Sequence, residues 1–343
     1  MDAVARWDAR DRADLFNEVG TTRGLANAIV EKDFWVCWTL KRLFAGEVSP
    51  GLVFKGGTSL SKSYGVIERF SEDIDLSFDR AALGYTGDKD PEKAESGKKA
   101  TKLIDQLVAD VQAHVAGPFL AALREAIARE LGAEGNAWRL TIDPHDPQTL
   151  NFGYPPSLTK RDYADIAYVN PVVRLELGAR GDPWPAEKRA IWSYAADERP
   201  DLFDAPIIEV DTLAVERTFW EKATILHAEH HRPADKATGE RMSRHYYDVA
   251  MLARSGHAEH ALERTDLLDV VARHKALFFR SGWARYDEAK PGSLRLIPAE
   301  ARLADLAADY AKMAPMFFGE PPSFRELLAD VEQLERRINE GGA

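Results

Sequence analysis

The sequence predicts an α+β fold, a small mixed sheet with flanking helices followed by a mostly helical C-terminal lobe. Three observations carry this. Short apolar or alternating runs of strand length cluster before residue 211. Helical periodicity dominates from Asp211 onward. The strands do not alternate one for one with helices, as βαβ units would. The expected division is 1–210 for the sheet-bearing part, with a helical insertion near 92–132, and 211–343 for the helical lobe.

Residues 24–46 read as a helix, because Val30, Phe34, Cys37, Leu40 and Phe44 recur at spacings of three and four and form one apolar stripe. Gly51 to Phe54 is a short apolar strand ending at Lys55-Gly-Gly57, and Asp73 to Phe78 is an alternating one. Between them, Thr58 to Tyr64 has room for one or two helical turns. Residues 79–92, rich in Gly, Asp, Lys and Pro, read as an exposed loop. Glu92 to Leu131 is helical with an interruption at Pro118. Strand signals return at Trp138–Ile142, Thr149–Phe152, Ala167–Leu177 and Ile207–Val210. A helix over 211–229 follows, with Asp211 or Thr212 as its expected N-cap.

Composition narrows the functional classes. A hydrophobic share of 45% and a charged share of 29% suit a water-soluble globular chain. No apolar run approaches the roughly 20 residues that span a bilayer, and the first dozen residues lack the apolar core of a signal peptide. The cytoplasm is the expected location. The single cysteine, Cys37, excludes an internal disulfide framework and a cysteine-based zinc site. A net charge of −11 argues against coating long nucleic acid through phosphates, which needs a basic face. A metal–nucleotide site, or an RNA end in a small basic cleft, remains compatible.

The sharpest feature is Lys55-Gly-Gly-Thr-Ser59 followed by Ser71-Glu-Asp-Ile-Asp-Leu76. On a strand, Asp73 and Asp75 share a face because side chains alternate with period two. Two such carboxylates repel unless a cation or proton lies between them, and hard divalent ions such as Mg²⁺ (or Mn²⁺) take carboxylates plus substrate phosphates. Paired glycines after a strand let backbone approach a phosphate closely. Together, in this order, the two halves match the signature of the nucleotidyltransferase superfamily that includes polymerase-β-like enzymes. A third carboxylate is expected from a later strand. Glu176 in Val172-Val-Arg-Leu-Glu-Leu177 is the first candidate, with an Arg174–Glu176 pair on a polar face as its bland alternative. Asp143 and Asp146 are rivals.

Further along, Lys222 lies on the stripe of Phe219, Ile225 and Leu226, so it either snorkels to solvent or points its ammonium into a site. Asp248 follows Arg244 by one helical turn, which offers a simple i,i+4 pair, yet Val249, Met251 and Leu252 suggest that it faces inward. His227, His230 and His231 have helical spacing compatible with zinc, or sit at an exposed helix end favoured by its dipole. Phe278 to Tyr286 is either core or a base-stacking stretch.

These pieces resemble the AbiEii/AbiGii toxin family of nucleotidyltransferases over nearly the whole chain. The matching stretches are Val30-Glu-Lys-Asp-Phe-Trp35, Phe54 to Leu60, Arg69 to Leu76, Glu216 to Lys222, Arg244 to Asp248, Asp309 to Met313 and Met316-Phe-Phe318. The resemblance implies a nucleotidyltransferase sheet in the N-terminal lobe and Mg²⁺ on Asp73 and Asp75, with Glu176 as a further ligand and proton acceptor. It implies that Lys55, Gly56, Gly57, Thr58 and Ser59 hold the triphosphate of an NTP, and that Lys222 and Asp248 complete the catalytic set. It also implies an RNA acceptor, with tRNA acceptor ends favoured, and an antitoxin encoded nearby as partner. Transfer to a protein hydroxyl would use the same residues, and a non-catalytic binding module on the same fold is the third reading.

Overall fold

A computed structural model describes residues 1–46, 48, 51–164 and 170–341, with nothing described of the side chains of Lys160 and Ala164. Contacts divide the chain into two compact units. The first comprises Met1–Ser63 and Phe70–Thr212; the second comprises Tyr64–Arg69 and Leu213–Ala343. The α+β expectation holds, with a seven-stranded mixed sheet and helices around it.

In the first unit the strands are β1 (Leu52–Lys55), β2 (Ile74–Phe78), β3 (Arg139–Ile142), β4 (Thr149–Gly153), β5 (Val172–Gly178), β6 (Ala186–Ile191) and β7 (Ile208–Leu213, whose last residue counts with the second unit). They lie in the order β3-β4-β5-β2-β1-β7-β6. β1 runs antiparallel to β2 and parallel to β7, while β2 runs parallel to β5. The signal at Ala167–Leu177 is realised from Val172; residues 165–169 lie outside the described residues. Strand β6 carried no signal in the sequence.

The helices of this unit are α1 (Asp2–Ala5), α2 (Ala9–Arg23), α3 (Asn27–Phe44), α4 (Gly56–Lys62), α5 (Gly97–His114), α6 (Leu120–Leu131), α7 (Lys160–Ala164) and α8 (Tyr194–Glu198). The helical insertion is interrupted at Pro118, as expected. A five-residue π-turn, Val115–Phe119, joins α5 to α6 and absorbs the missing amide. The stripe expected on α3 is an underestimate, since every residue from Ala28 to Leu40 is buried. A helix buried all round needs partners on every side, and α3 has them in α2, α6, α7, α8 and β5. Trp35 stacks on Tyr154 with ring centroids 5.4 Å apart, and Trp38 on Phe152 at 5.9 Å. Large aromatic faces of this kind supply much of the apolar area that stabilises a core.

The second unit is helical: α9 (Val215–His230), α10 (Ser243–Arg254), α11 (His257–Leu262), α12 (Thr265–Phe278), α13 (Leu303–Lys312) and α14 (Phe324–Glu340). Asp211 and Thr212 do not cap α9. They belong to β7, where Thr212 is buried with its hydroxyl 3.1 Å from that of Ser63, and Ala214 takes the cap position. The β-branched run Ile-Glu-Val-Asp-Thr-Leu favours the strand that its polar residues obscured. Asp309, in α13, accepts from the amides of Arg241 and Ser243 and from the Ser243 hydroxyl, so it satisfies donors at the start of α10. No helix among the described residues is long and apolar enough to cross a membrane.

Candidate active site

In the first unit the chemistry gathers on one face of the sheet. Lys55 pairs in register with Asp75, and Asp75 in turn with Glu176. Neighbouring strands lie about 4.8 Å apart, so three charged side chains from three strands stand in a row. Asp73 precedes β2 by one residue and shares this face by the period-two rule.

The glycine turn is pressed against this row. Gly56 has φ +80°, and a Cβ placed on it would lie 1.9 Å from Asp75 Oδ2. Both the left-handed backbone and the space therefore require glycine. Lys55 takes an extended backbone, and α4 starts at once with Gly56. Thr58 turns inward: its hydroxyl donates to the Asp73 carbonyl at 2.5 Å and accepts from the Ser71 hydroxyl at 2.9 Å. Ser59 donates to the Gly56 carbonyl at 2.9 Å. These hydroxyls shape the turn and fix the approach to Asp73. What the turn can present to an anion is its first-turn backbone amides, which have no intrahelical acceptor.

Arg174 stands among the carboxylates, 3.3 Å from Asp143, 3.5 Å from Glu176 and 3.8 Å from Asp73. Even so, Glu176 has its pKa pushed up to about 7, first by burial and then by Asp75 and Asp73. Burial and like charge both disfavour the ionised form. Asp143 is held low by the His145 amide and Asn151 amide hydrogen bonds, so it serves its own loop. Asp146 likewise caps the Gln148 and Thr149 turn.

Among the described residues, no three acidic, histidine or cysteine side chains converge on one point as a closed metal cage. The donor set nevertheless fits a hard divalent cation by its chemistry. It consists of carboxylate oxygens on neighbouring strands, with a glycine turn beside them for the phosphates such an ion brings. A cavity of about 530 Å³ lies at the far ends of β1 and β2, lined by Val53, Asp79, Tyr85, Trp184 and Asp211, and includes none of the motif residues.

In the second unit, Lys222 on α9 and Asp248 on α10 meet at 2.7 Å. Asp248 is fully buried and also receives Arg69, whose Nε and Nη2 donate at 2.8 and 2.9 Å. Burial alone would raise this carboxyl's pKa. Arg69 and then Lys222 overcome that and hold it far below the usual carboxylate range. Lys222 neither snorkels to solvent nor stands alone, and the i,i+4 partner Arg244 is not what answers Asp248.

Arg69 is the residue that sequence reasoning passed over. It lies 179 positions from Asp248, and no local pattern links them. Tertiary pairing places it. Arg69 forms a β-bridge with Phe317, the Phe318 amide donates to the Glu68 carbonyl at 2.9 Å, and the Glu68 amide donates to the Tyr247 hydroxyl at 3.2 Å.

The histidine group does not sit at an exposed helix end. His227 is buried, with one ring nitrogen against the Arg285 carbonyl at 2.9 Å and the other accepting the Arg295 amide at 3.0 Å. His230 meets the Ile297 carbonyl at 2.6 Å. The Phe278–Tyr286 stretch is divided: Phe278 and Ala284 are core, Phe279 is exposed, and Trp283 lies under Arg232 at 4.7 Å.

The family model for the AbiEii toxin, described as a nucleotidyl transferase of a type IV toxin–antitoxin system, matches residues 38–330. Among solved structures, MenT4, a nucleotidyltransferase toxin from Mycobacterium tuberculosis H37Rv, aligns at 16% identity over 96% of this chain and 97% of its own, with a TM-score of 0.41. JHP933 from Helicobacter pylori aligns at 13% identity over 90% and 92%, with a TM-score of 0.39. A search of curated proteins returned no match.

Proposed function

The chain belongs to the AbiEii family of nucleotidyltransferase toxins of type IV toxin–antitoxin systems, and on that premise we propose that it transfers a nucleotide from an NTP to RNA, preferably to a tRNA acceptor end, in a reaction that depends on Mg²⁺ or Mn²⁺. The observation that carries this reading is the contact between the Gly56 turn and Asp75, with Asp75 in register with Glu176. A triphosphate on the turn would lie directly beside the carboxylates.

Asp73, Asp75 and Glu176 would hold the cation, which when bound would neutralise phosphate charge and orient the attacking and leaving oxygens. The backbone of Gly56 to Ser59 positions the triphosphate, and Lys55 adds a cation to the same face. Glu176 would also take the proton of the acceptor hydroxyl. For Lys222 and Asp248 we retain the place in the catalytic set that the resemblance implies. The place of action is the cytoplasm, and the family's toxin–antitoxin nature implies an antitoxin partner.

The test is incubation of the purified protein with Mg²⁺, each α-labelled NTP in turn, total RNA and lysate protein, beside an Asp73→Ala/Asp75→Ala variant. Label on a small RNA, absent with the variant, supports the proposal and names the nucleotide. Label on protein replaces the acceptor, an outcome that the net charge of −11 makes worth measuring because a protein target needs no basic groove. Binding of NTP without transfer to either would strip the catalytic roles.

A further inference from the structure

Helix α3 carries Glu31, Lys32 and Asp33 in succession, and all three are buried, at 0, 2 and 5% exposure. Consecutive residues point to different sides of a helix, so no single polar face accounts for them. A buried charge persists only when it is paired and hydrogen-bonded. Each of these is answered by a different segment of the same unit.

Glu31 accepts from the Ser157 amide and hydroxyl at 2.7 and 2.6 Å, and from the Tyr163 hydroxyl. Lys32 donates to Glu72 at 3.0 Å, to the Asn170 carbonyl at 3.0 Å and to the Val172 carbonyl. Asp33 takes the Lys62 ammonium, and the Tyr194 amide at 2.7 Å.

The partners of Lys32 are informative. An ammonium has three protons, and Lys32 uses them on Glu72, the residue before Asp73, and on two carbonyls at the entry to β5, the strand of Glu176. Two of the three acceptors are backbone, so the contact fixes main chain rather than matching one side chain to another. Lys62, the partner of Asp33, ends α4, whose first residue is Gly56.

We propose that Lys32 is a positioning residue. It ties the entry of β2 to the entry of β5, sets the separation of Asp73 and Asp75 from Glu176, and so sets the affinity of these carboxylates for a divalent cation. Asp33, through Lys62, separately fixes the glycine turn. The proposal rests on the nucleotidyltransferase reading above.

The experiment measures Mn²⁺ binding to the full chain by electron paramagnetic resonance, without nucleotide, together with KM for the NTP and thermal unfolding. The variants are Lys32→Met, the milder Glu72→Gln, Asp33→Asn, and Asp73→Ala/Asp75→Ala. Groups that orient metal ligands change affinity about ten- to a hundredfold when removed. Lys32→Met is therefore expected to weaken Mn²⁺ about tenfold or more, and Glu72→Gln by a smaller factor in the same direction. Asp33→Asn is expected to raise KM while leaving the Mn²⁺ affinity within about twofold, since its tie is to the turn. Glu72→Gln carries the test if Lys32→Met does not fold.

A merely structural tie would lower the unfolding temperature and the number of Mn²⁺ sites per chain, with unchanged affinity in the sites that remain. That result overturns the proposal. Wild-type Mn²⁺ binding that is absent, or unaffected in Asp73→Ala/Asp75→Ala, overturns the metal reading itself and the positioning role with it.

Discussion

Replacing Asp248 by Asn should cost far more than replacing Lys222 by Met, although the two side chains form one ion pair. Asp248 answers two buried cations, Lys222 at 2.7 Å and Arg69 through two hydrogen bonds of 2.8 and 2.9 Å. Asp248→Asn removes the carboxylate charge that the two buried cations share, and breaking a buried pair in this way costs about 3–5 kcal/mol. Lys222→Met removes one cation but leaves Asp248 with both Arg69 bonds. Its expected cost is one charge-assisted hydrogen bond, about 1.5–3 kcal/mol, reduced by the apolar stem that Met retains. For a unit of this size roughly 3–4 °C accompanies each kcal/mol, so the midpoints should fall by about 9–20 °C for Asp248→Asn and by at most about 5–12 °C for Lys222→Met. Differential scanning calorimetry of both variants measures this. Equal losses, or a loss below about 1 kcal/mol for Asp248→Asn, would refute the account of a carboxylate shared by two cations. Because Lys222→Met should remain folded at 25 °C, its transferase activity then reports the lysine's chemical role separately from its structural one.

Two further predictions use the same reasoning. Gly56→Ala would force a Cβ into a left-handed backbone, costing about 1–2 kcal/mol, and set it 1.9 Å from Asp75 Oδ2; circular dichroism should stay near wild type while nucleotide transfer is lost, and retained activity would disprove the close approach. His245 is half-buried, its Nδ1 is enclosed without a hydrogen-bond partner, and its pKa is well lowered by burial first and then by Lys222 and Arg244. The folded state keeps it neutral while the unfolded chain binds a proton below about pH 6.5, so its contribution is present above that pH and falls by up to roughly 1.4 kcal/mol per unit below it. His114, His227 and His231 are held low as well and add to the same slope, so urea titrations from pH 7.5 to 5 should show a shallower slope in His245→Gln than in the wild type; an unchanged slope would exclude the assignment.

The residues of the carboxylate face were legible because their geometry is local. Period-two alternation alone puts Asp73 and Asp75 on one side of any strand, and a glycine directly after a strand announces a backbone that other residues avoid. The same locality made the α+β class and the helix over 24–46 readable. Where signals were weak, exposure or competing pattern explains it. Strand β6 lies at the sheet edge with most of its residues exposed, so Ala-Glu-Lys-Arg-Ala-Ile shows no apolar alternation. The start of α9 was misplaced because Asp211 and Thr212 look like caps, while their inclusion in β7 depends on pairing with β1.

The alternating carboxylates and the glycine turn follow from residues a few positions apart, and the family resemblance from a series of such short stretches along the chain. Only the tertiary structure decided who answers the buried charges. Arg69 reaches Asp248 across 179 positions, and Lys32 reaches the entry of β5 across 138 and 140. A charge in a sequence records only that it must be paired if buried; which partner pairs it is fixed by how distant strands and helices pack, and no periodicity encodes that.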